Sequence, residues 1–463
     1  MYLPINGRVT IIDDQIEQAE TLIKVLSKRQ IPITYFSGEL EFLPDSEDNF
    51  NDTRILFLDI NLIDNSEHEI KVLKASLVPV LKKVISKDNF PYVLIYWSRH
   101  EEHKELIEND IFENDLNDRK PIAYISSHKS SFFNLDGTPT ENYENEVSTL
   151  FTKLEDLIKS NHAFSYLLHW ENQVHFSTDK TLQEVFSPFH AYNNWTDNAN
   201  HLINKFSISY SGKSTFKEQS PSDRIKAAFN TFSNLLNDTI EKNNNSSVIN
   251  NPTELSVENS DDSNYESYYS INKKLMFSDD SEPIEYPGAI IEDVNPKTEK
   301  VFEELFFSVF NRFIEEEKLS EDEIKDLSKN KLNKLIRQKN SDKKAEIKSN
   351  WKRIYLTVTP LCDYVQSKYE YNRCVKGIII ESNYLEYIDT KSEAIFITPK
   401  FSLDDGISYV LILHFRYFFT SNKGGNLKNL NPLFRARQQL LAEIQSKLSR
   451  HISRQGILFL DDR

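Results

Sequence analysis

The chain is poor in the residues from which many familiar sites are built. It has only two cysteines among 463 residues, Cys362 and Cys374, and no CxxC pair. That scarcity excludes a zinc knuckle and a disulfide framework. Ten glycines leave little room for phosphate-cradling loops, and neither GxGxxG nor GxxxxGK occurs. Long hydrophobic runs are also missing. The longest apolar stretch, YVLILHFRYFF at 409–419, is too short to span a bilayer and contains Arg416. The N-terminus carries no basic segment followed by an apolar one, so no signal peptide is expected, and a cytoplasmic protein without membrane contact follows. Positive charge is in deficit as well. A net charge of −16 makes nucleic acid the less favoured partner, and no helix-turn-helix phrase stands out.

What is present begins with alternation. Over residues 1–160, apolar runs at 8–13, 31–36, 54–60, 92–98 and 122–126 read as five strands. Between them lie helical faces. Ile16, Ala19, Ile23 and Leu26 form one; Ile70, Leu73, Leu77, Leu81 and Val84 form a second; Val147, Leu150, Phe151, Leu154, Leu157 and Ile158 form a last one. Strands that alternate with helices imply parallel βαβ units, and unbroken apolar runs imply strands covered on both faces. The expected fold is α/β, with a five-stranded, doubly wound sheet as its N-terminal domain.

In such a sheet ligands gather at the carboxyl ends of the strands. Asp13 and Asp14 follow the first strand, Asp59 closes the third, Ser98 closes the fourth, and Lys129 lies past the fifth. Adjacent carboxylates repel unless a cation or donors offset them. Three acids suit a hard, oxygen-seeking Mg²⁺, with a backbone carbonyl of Asn61 as a further ligand, and a basic group suits an anion beside it. Asp59 is the best candidate nucleophile, through an aspartyl phosphate. Each acid also has a bland reading as a helix cap, Asp14 above all.

The pieces IIDD (11–14), ILFLDIN (55–61), the Ser of VLIYWS (93–98) and a Lys after IAYIS resemble, in their order and placement, a response-regulator receiver domain. The resemblance covers about a third of the chain. It implies a flavodoxin-like fold, Mg²⁺ on Asp13 and Asp14, phosphate accepted by Asp59, a response from Ser98, and a Lys129–phosphate pair. It also implies a histidine kinase or another upstream signalling protein as partner. The chain departs from the family in having Ser130 where proline is usual, long segments between strands three, four and five, and only Tyr124 as a candidate aromatic switch.

Residues 161–242 read as helical, with one stripe formed by Ile225, Ala228, Phe229, Phe232, Leu235, Leu236 and Ile240 that suits a core or a dimer seam. His162, His169 and His175 have no metal-ligand spacing and read as core or surface histidines. Residues 243–271, rich in Asn, Ser and Asp, read as a linker or long loop. From 272 to 463 the chain reads as a β-rich domain resembling a small antiparallel barrel. A helical insertion at 298–349 and a C-terminal helix at 431–452 complete it, with no helix expected between the strands after 353. Cys362 reads as a structural residue, since no histidine is near it in sequence. The stretch 434–455 is locally basic, with Arg435, Arg437, Lys447, Arg450 and Arg454 against Glu443, and suggests contact with an acidic protein surface.

The functional expectation is a cytosolic signalling protein whose N-terminal domain, directed by phosphorylation on Asp59 or by a partner, controls a C-terminal interaction or effector module. The rivals are a hydrolase or nuclease in the C-terminal domain, and an adaptor with a receiver-like domain that is never phosphorylated.

Overall fold

The computed structural model describes residues 8–44, 53–63, 68–87, 89–99, 101–134, 138–187, 194–249, 265–281, 283–310, 328–388, 392–403, 405–423, 425, 427 and 430–453. The chain divides into two compact units, Met1–Ala199 with Phe232–Glu254, and Asn200–Thr231 with Leu255–Arg463. The helices Trp195–Ser211 and Pro221–Ser246 each contribute residues to both.

In the first unit, β1 (Val9–Ile12), β2 (Ile33–Phe36), β3 (Ile55–Leu58), β4 (Val93–Ser98) and β5 (Ala123–His128) form one five-stranded sheet. Its order is β2-β1-β3-β4-β5 and every pairing is parallel. The apolar runs are buried on both faces because period-two alternation sends their side chains to two layers. Val9, Ile11, Phe57, Ile95 and Trp97 face α1 (Ile16–Lys28) and the helix Tyr143–Ser160. Ile12, Leu56, Leu58, Leu94 and Tyr96 face α2 (Ile70–Val84) and a π-helical stretch, Ile107–Asp115. On the rim of the sheet, Arg8 and Arg54 pair with Glu171 of the helix His162–Phe186. Along the same helix, Asn243 donates to Ser177 at 2.7 Å and Thr181 to Thr239 at 3.1 Å, making a polar seam with Pro221–Ser246.

The second unit holds β6 (Phe277–Ser278), β7 (Ala289–Glu292), β8 (Lys352–Thr357), β9 (Tyr371–Glu381), β10 (Ile395–Ile397), β11 (Phe401–Ser402), β12 (Ser408–Asn422) and β13 (Asn431–Ala436). They form a curled antiparallel sheet in the order β10-β12-β9-β8-β7-β13-β6, with β11 on β12. Among the described residues no pairing joins β10 to β6, so the hydrogen bonds leave the sheet open where a closed barrel was expected. The helix Gln438–Ile452 buries Leu441, Ile444 and Leu448 on one face of the sheet. Glu299–Val309 buries Phe302, Leu305, Phe306 and Val309 on the other. Gly377 on β9 has no substitute: a Cβ there would stand 2.4 Å from the carbonyl oxygen of Ile412 on β12.

Several sequence readings change. β5 runs two residues past the expected end, to His128. Asn431 and Pro432 belong to β13 rather than to a helix, and the C-terminal helix starts at Gln438. A one-turn helix, Leu361–Val365, and a 3-10 helix, Ser382–Tyr387, interrupt the strand region. The expected linker is helical at both ends, through Ser246 and from Tyr265; residues 251–264 lie outside the described residues. The stripe on Pro221–Ser246 is only partly covered, with Ala228 buried and Ile225 and Phe229 exposed.

Candidate functional site

Parallel strands in register bring their carboxyl ends to one edge. Ile12 lies opposite Phe36 and Leu58, Leu58 opposite Tyr96, and Ser98 opposite His128. The residues just past those ends therefore meet. Asp13 and Asp14 leave β1, Asp59 leaves β3, Ser98 ends β4, and Lys129 directly follows β5. Backbone bonds fix the two buried acids: Asp13 N donates to Phe36 O at 3.1 Å, and Asp59 N to Ile12 O at 2.9 Å.

Oxygen atoms of Asp13, Asp14 and Asp59 lie within 4.8 Å of one another. The Asp13 side chain is 0% exposed, that of Asp59 10% and that of Lys129 1%. An ammonium buried that deeply needs counter-charge. Lys129 Nζ stands 2.8 Å from Asp13 Oδ2 and donates to Asp59 Oδ2. Asp59 Oδ1 accepts from Ser98 Oγ at 2.7 Å and from the backbone N–H of Asn61 at 3.1 Å. Asp13 Oδ1 accepts from the Gln15 N–H at 3.0 Å. Asp14 does not cap α1; the capping position is Gln15, which makes no side-chain cap.

The electrostatics follow from burial. Desolvation pushes the Asp13 carboxyl up to about 6, against the pull of Lys129 and with a further push from Asp59. Asp14 is raised for the same first reason, with Asp59 adding to it. Burial alone would lower Lys129, but the Asp59 and Asp13 carboxylates outweigh it and hold the ammonium above its ordinary value. Fully ionised, three carboxylates against one ammonium leave two negative charges uncompensated. An all-oxygen donor set with that deficit fits a hard divalent cation.

The strand-end residues Asp13, Asp14, Asp59, Ser98 and Lys129 thus come together, and Asn61 joins them through its N–H, bonded to Asp59 Oδ1. Three contributors were not read from the sequence. Tyr35, at the end of β2, donates its hydroxyl to the Asp13 carbonyl at 2.6 Å. Arg99 donates to Asn134 O at 2.7 Å and ties the end of β4 to the segment after Lys129. Trp97 is buried beside Ser98, its ring centroid 4.8 Å from that of Phe132. Tyr124 stacks on Tyr96, 5.9 Å between ring centroids, away from the acids.

Elsewhere, the acidic group is the one carboxylate, cysteine or histidine cluster able to hold a metal among the described residues. Cys362, expected to be structural, is exposed on Leu361–Val365, and its thiol donates to Asp363 Oδ1 at 3.6 Å. The buried cysteine is Cys374. The basic stretch is largely engaged within its own unit: Arg435 is buried and paired with Asp280 at 3.1 Å, and Lys447 pairs with Glu443 at 3.3 Å. Arg454 lies outside the described residues. No described helix is long and apolar enough to cross a membrane. No protein-family model, curated protein or solved structure matches this chain.

Proposed function

We propose that the first unit is a receiver-like, flavodoxin-like phosphoacceptor domain and that Asp59 is its acceptor. One observation carries the reading: the Asp59 carboxylate, at the end of β3, touches both the Ser98 hydroxyl and the buried Lys129 ammonium beside Asp13. A carboxylate held by two donors from two other strands is oriented for attack on phosphorus. An Asp59 oxygen forms the new P–O bond while the bond from phosphorus to the leaving group breaks, and the leaving group departs with its electron pair. Lys129 then faces the phosphoryl oxygens as a fixed positive charge, and Ser98 exchanges its bond to the carboxylate for one to the phosphoryl group. Asp13, Asp14, Asp59 and the Asn61 carbonyl would hold Mg²⁺, which would supply charge neutralisation there. The phosphoryl group adds charge at Asp59 and shifts the surface around Ser98 and Lys129, through which a cytosolic signalling protein receives a kinase or other upstream partner and directs its second unit to a protein partner.

The same residues, never phosphorylated, make the adaptor reading. A hydrolase or nuclease centred on Cys362 has less behind it, since the partner of its thiol is a carboxylate and not a base. Trp97, next to Ser98 in sequence, supplies the test. Beryllofluoride, a phosphoryl mimic, changes tryptophan emission in the presence of Mg²⁺, Trp97→Phe removes that change, and Asp59→Asn abolishes it while circular dichroism stays that of the wild type. An equal response in Asp59→Asn removes Asp59 as the acceptor.

A further inference from the structure

The second unit contains a cavity of about 230 Å³ whose polar lining is Ser270, Lys273, Lys274, Asp279, Ser402 and Arg437, set against an apolar wall of Phe277 and Leu403. Its cations come from two separate elements, the helix Tyr265–Met276 and the turn into Gln438–Ile452. Asp279 pairs with Lys273 at 3.2 Å. Arg437 Nε donates to Phe277 O at 3.1 Å, which fixes the guanidinium at the cavity wall. Among the described residues, Lys274 Nζ, the terminal nitrogens of Arg437 and the hydroxyls of Ser270 and Ser402 have no hydrogen-bond or ion-pair partner. On a chain of net charge −16, Lys274 and Arg437, both exposed and without a carboxylate partner among the described residues, meet at this cavity from two elements. Arg437 also occupies the N-cap position of its helix, with no side-chain cap and no acid in the first turn, so the helix end adds to the positive field instead of offsetting it.

We infer that this cavity binds a phosphate group, free or as a small phosphomonoester. Beside Phe277 and Leu403, the polar lining offers cationic and hydroxyl donors, and its one carboxylate is already paired. The ligand must therefore be rich in acceptors and negatively charged. A volume below the usual 300–1,000 Å³ of small-molecule pockets suits a phosphate with a small substituent better than a whole nucleotide cofactor. The site does not depend on Asp59, and orthophosphate is no phosphodonor.

Calorimetric titration of the full chain with orthophosphate tests this, in buffer without divalent cations and with chloride balancing ionic strength. Saturable binding is expected. Lys274→Gln and Arg437→Gln each weaken it about tenfold, the scale of one charge-assisted bond. Lys274 is exposed, so its variant leaves packing intact even if Arg437→Gln disturbs the bond to Phe277. Asp59→Asn binds as the wild type does. Methyl phosphate binding more tightly than orthophosphate assigns the site to monoesters, and weaker binding assigns it to the free ion. Absence of saturable binding at millimolar phosphate, unchanged affinity in Lys274→Gln, or loss of binding in Asp59→Asn overturns the inference.

Discussion

Lys129 is the residue on which the acid cluster depends. Its ammonium stands between Asp13 and Asp59 and is almost wholly buried. Removing one member of a buried ion pair typically costs about 3–5 kcal/mol, because the remaining charge is left uncompensated. Lys129→Met should therefore destabilise the first unit by about that amount in denaturant titration. Adding Asp13→Asn should restore part of the loss, since one buried carboxylate is then gone. A Lys129→Met variant as stable as the wild type contradicts the pairing. Asp13 gives a pH signature of its own. Its folded-state value of about 6 lies above the ordinary 3.8, so the folded protein holds this proton longer than the unfolded chain does. Its contribution is complete below about pH 4 and is lost as pH rises through 6, a difference of about 3 kcal/mol by the usual conversion. Without divalent cations, Asp13→Asn should therefore gain thermal stability relative to the wild type as pH rises across that window. Parallel melting profiles for the two proteins rule this out.

At the scale of elements, the second unit is held by the β9–β12 ladder. Gly377→Ala puts a methyl group against the Ile412 carbonyl at a distance no packed atom accepts. The ladder must shift, and overpacking of this kind costs about 1–3 kcal/mol. The lower melting transition of the variant should belong to the second unit, as read by hydrogen exchange in β9 and β12. Further along β12 the register breaks between Leu413 and Phe418, and His414 lies buried in that break. Burial first, then Arg416 and His451, lower its value to about 4 from 6.5. The unfolded chain thus takes up this proton first on acidification. The contribution of His414 is complete above pH 6.5 and is lost as pH falls towards 4. His414→Gln should flatten the fall in melting temperature across that range.

The same elements explain what could be read in advance. VTII, ILFL and VLIYWS are central strands covered on both faces, so their apolar runs are unbroken and legible. β5 is an edge strand whose last residues, Ser126, Ser127 and His128, are polar. From sequence the strand therefore reads as ending at Ser126, short of its true end at His128 and of Lys129 directly after it. β13 was hidden by Pro432, which helix-start rules favour; a bulge between Pro432 and Phe434 lets the proline sit in a ladder. The hydroxyl of Tyr35 and the reach of Arg99 depend on tertiary placement and leave no local trace.

For the molecule as a whole, the division into two units gives the proposal its form: a phosphoacceptor in one and an output in the other. If Asp59 directs the second unit, beryllofluoride with Mg²⁺ should alter hydrogen exchange within Asn200–Thr231 or Leu255–Arg463, and Asp59→Asn should abolish that change. A response confined to the first unit supports the adaptor reading instead. The central claim, that Asp59 accepts a phosphoryl group, is tested most directly by mass spectrometry of the full chain after incubation with acetyl phosphate and Mg²⁺. The account predicts one base- and hydroxylamine-labile phosphoryl group on the peptide containing Asp59, absent without Mg²⁺ and absent in Asp59→Asn. An unmodified Asp59 under conditions that phosphorylate a control receiver, or the same modification in Asp59→Asn, would contradict it.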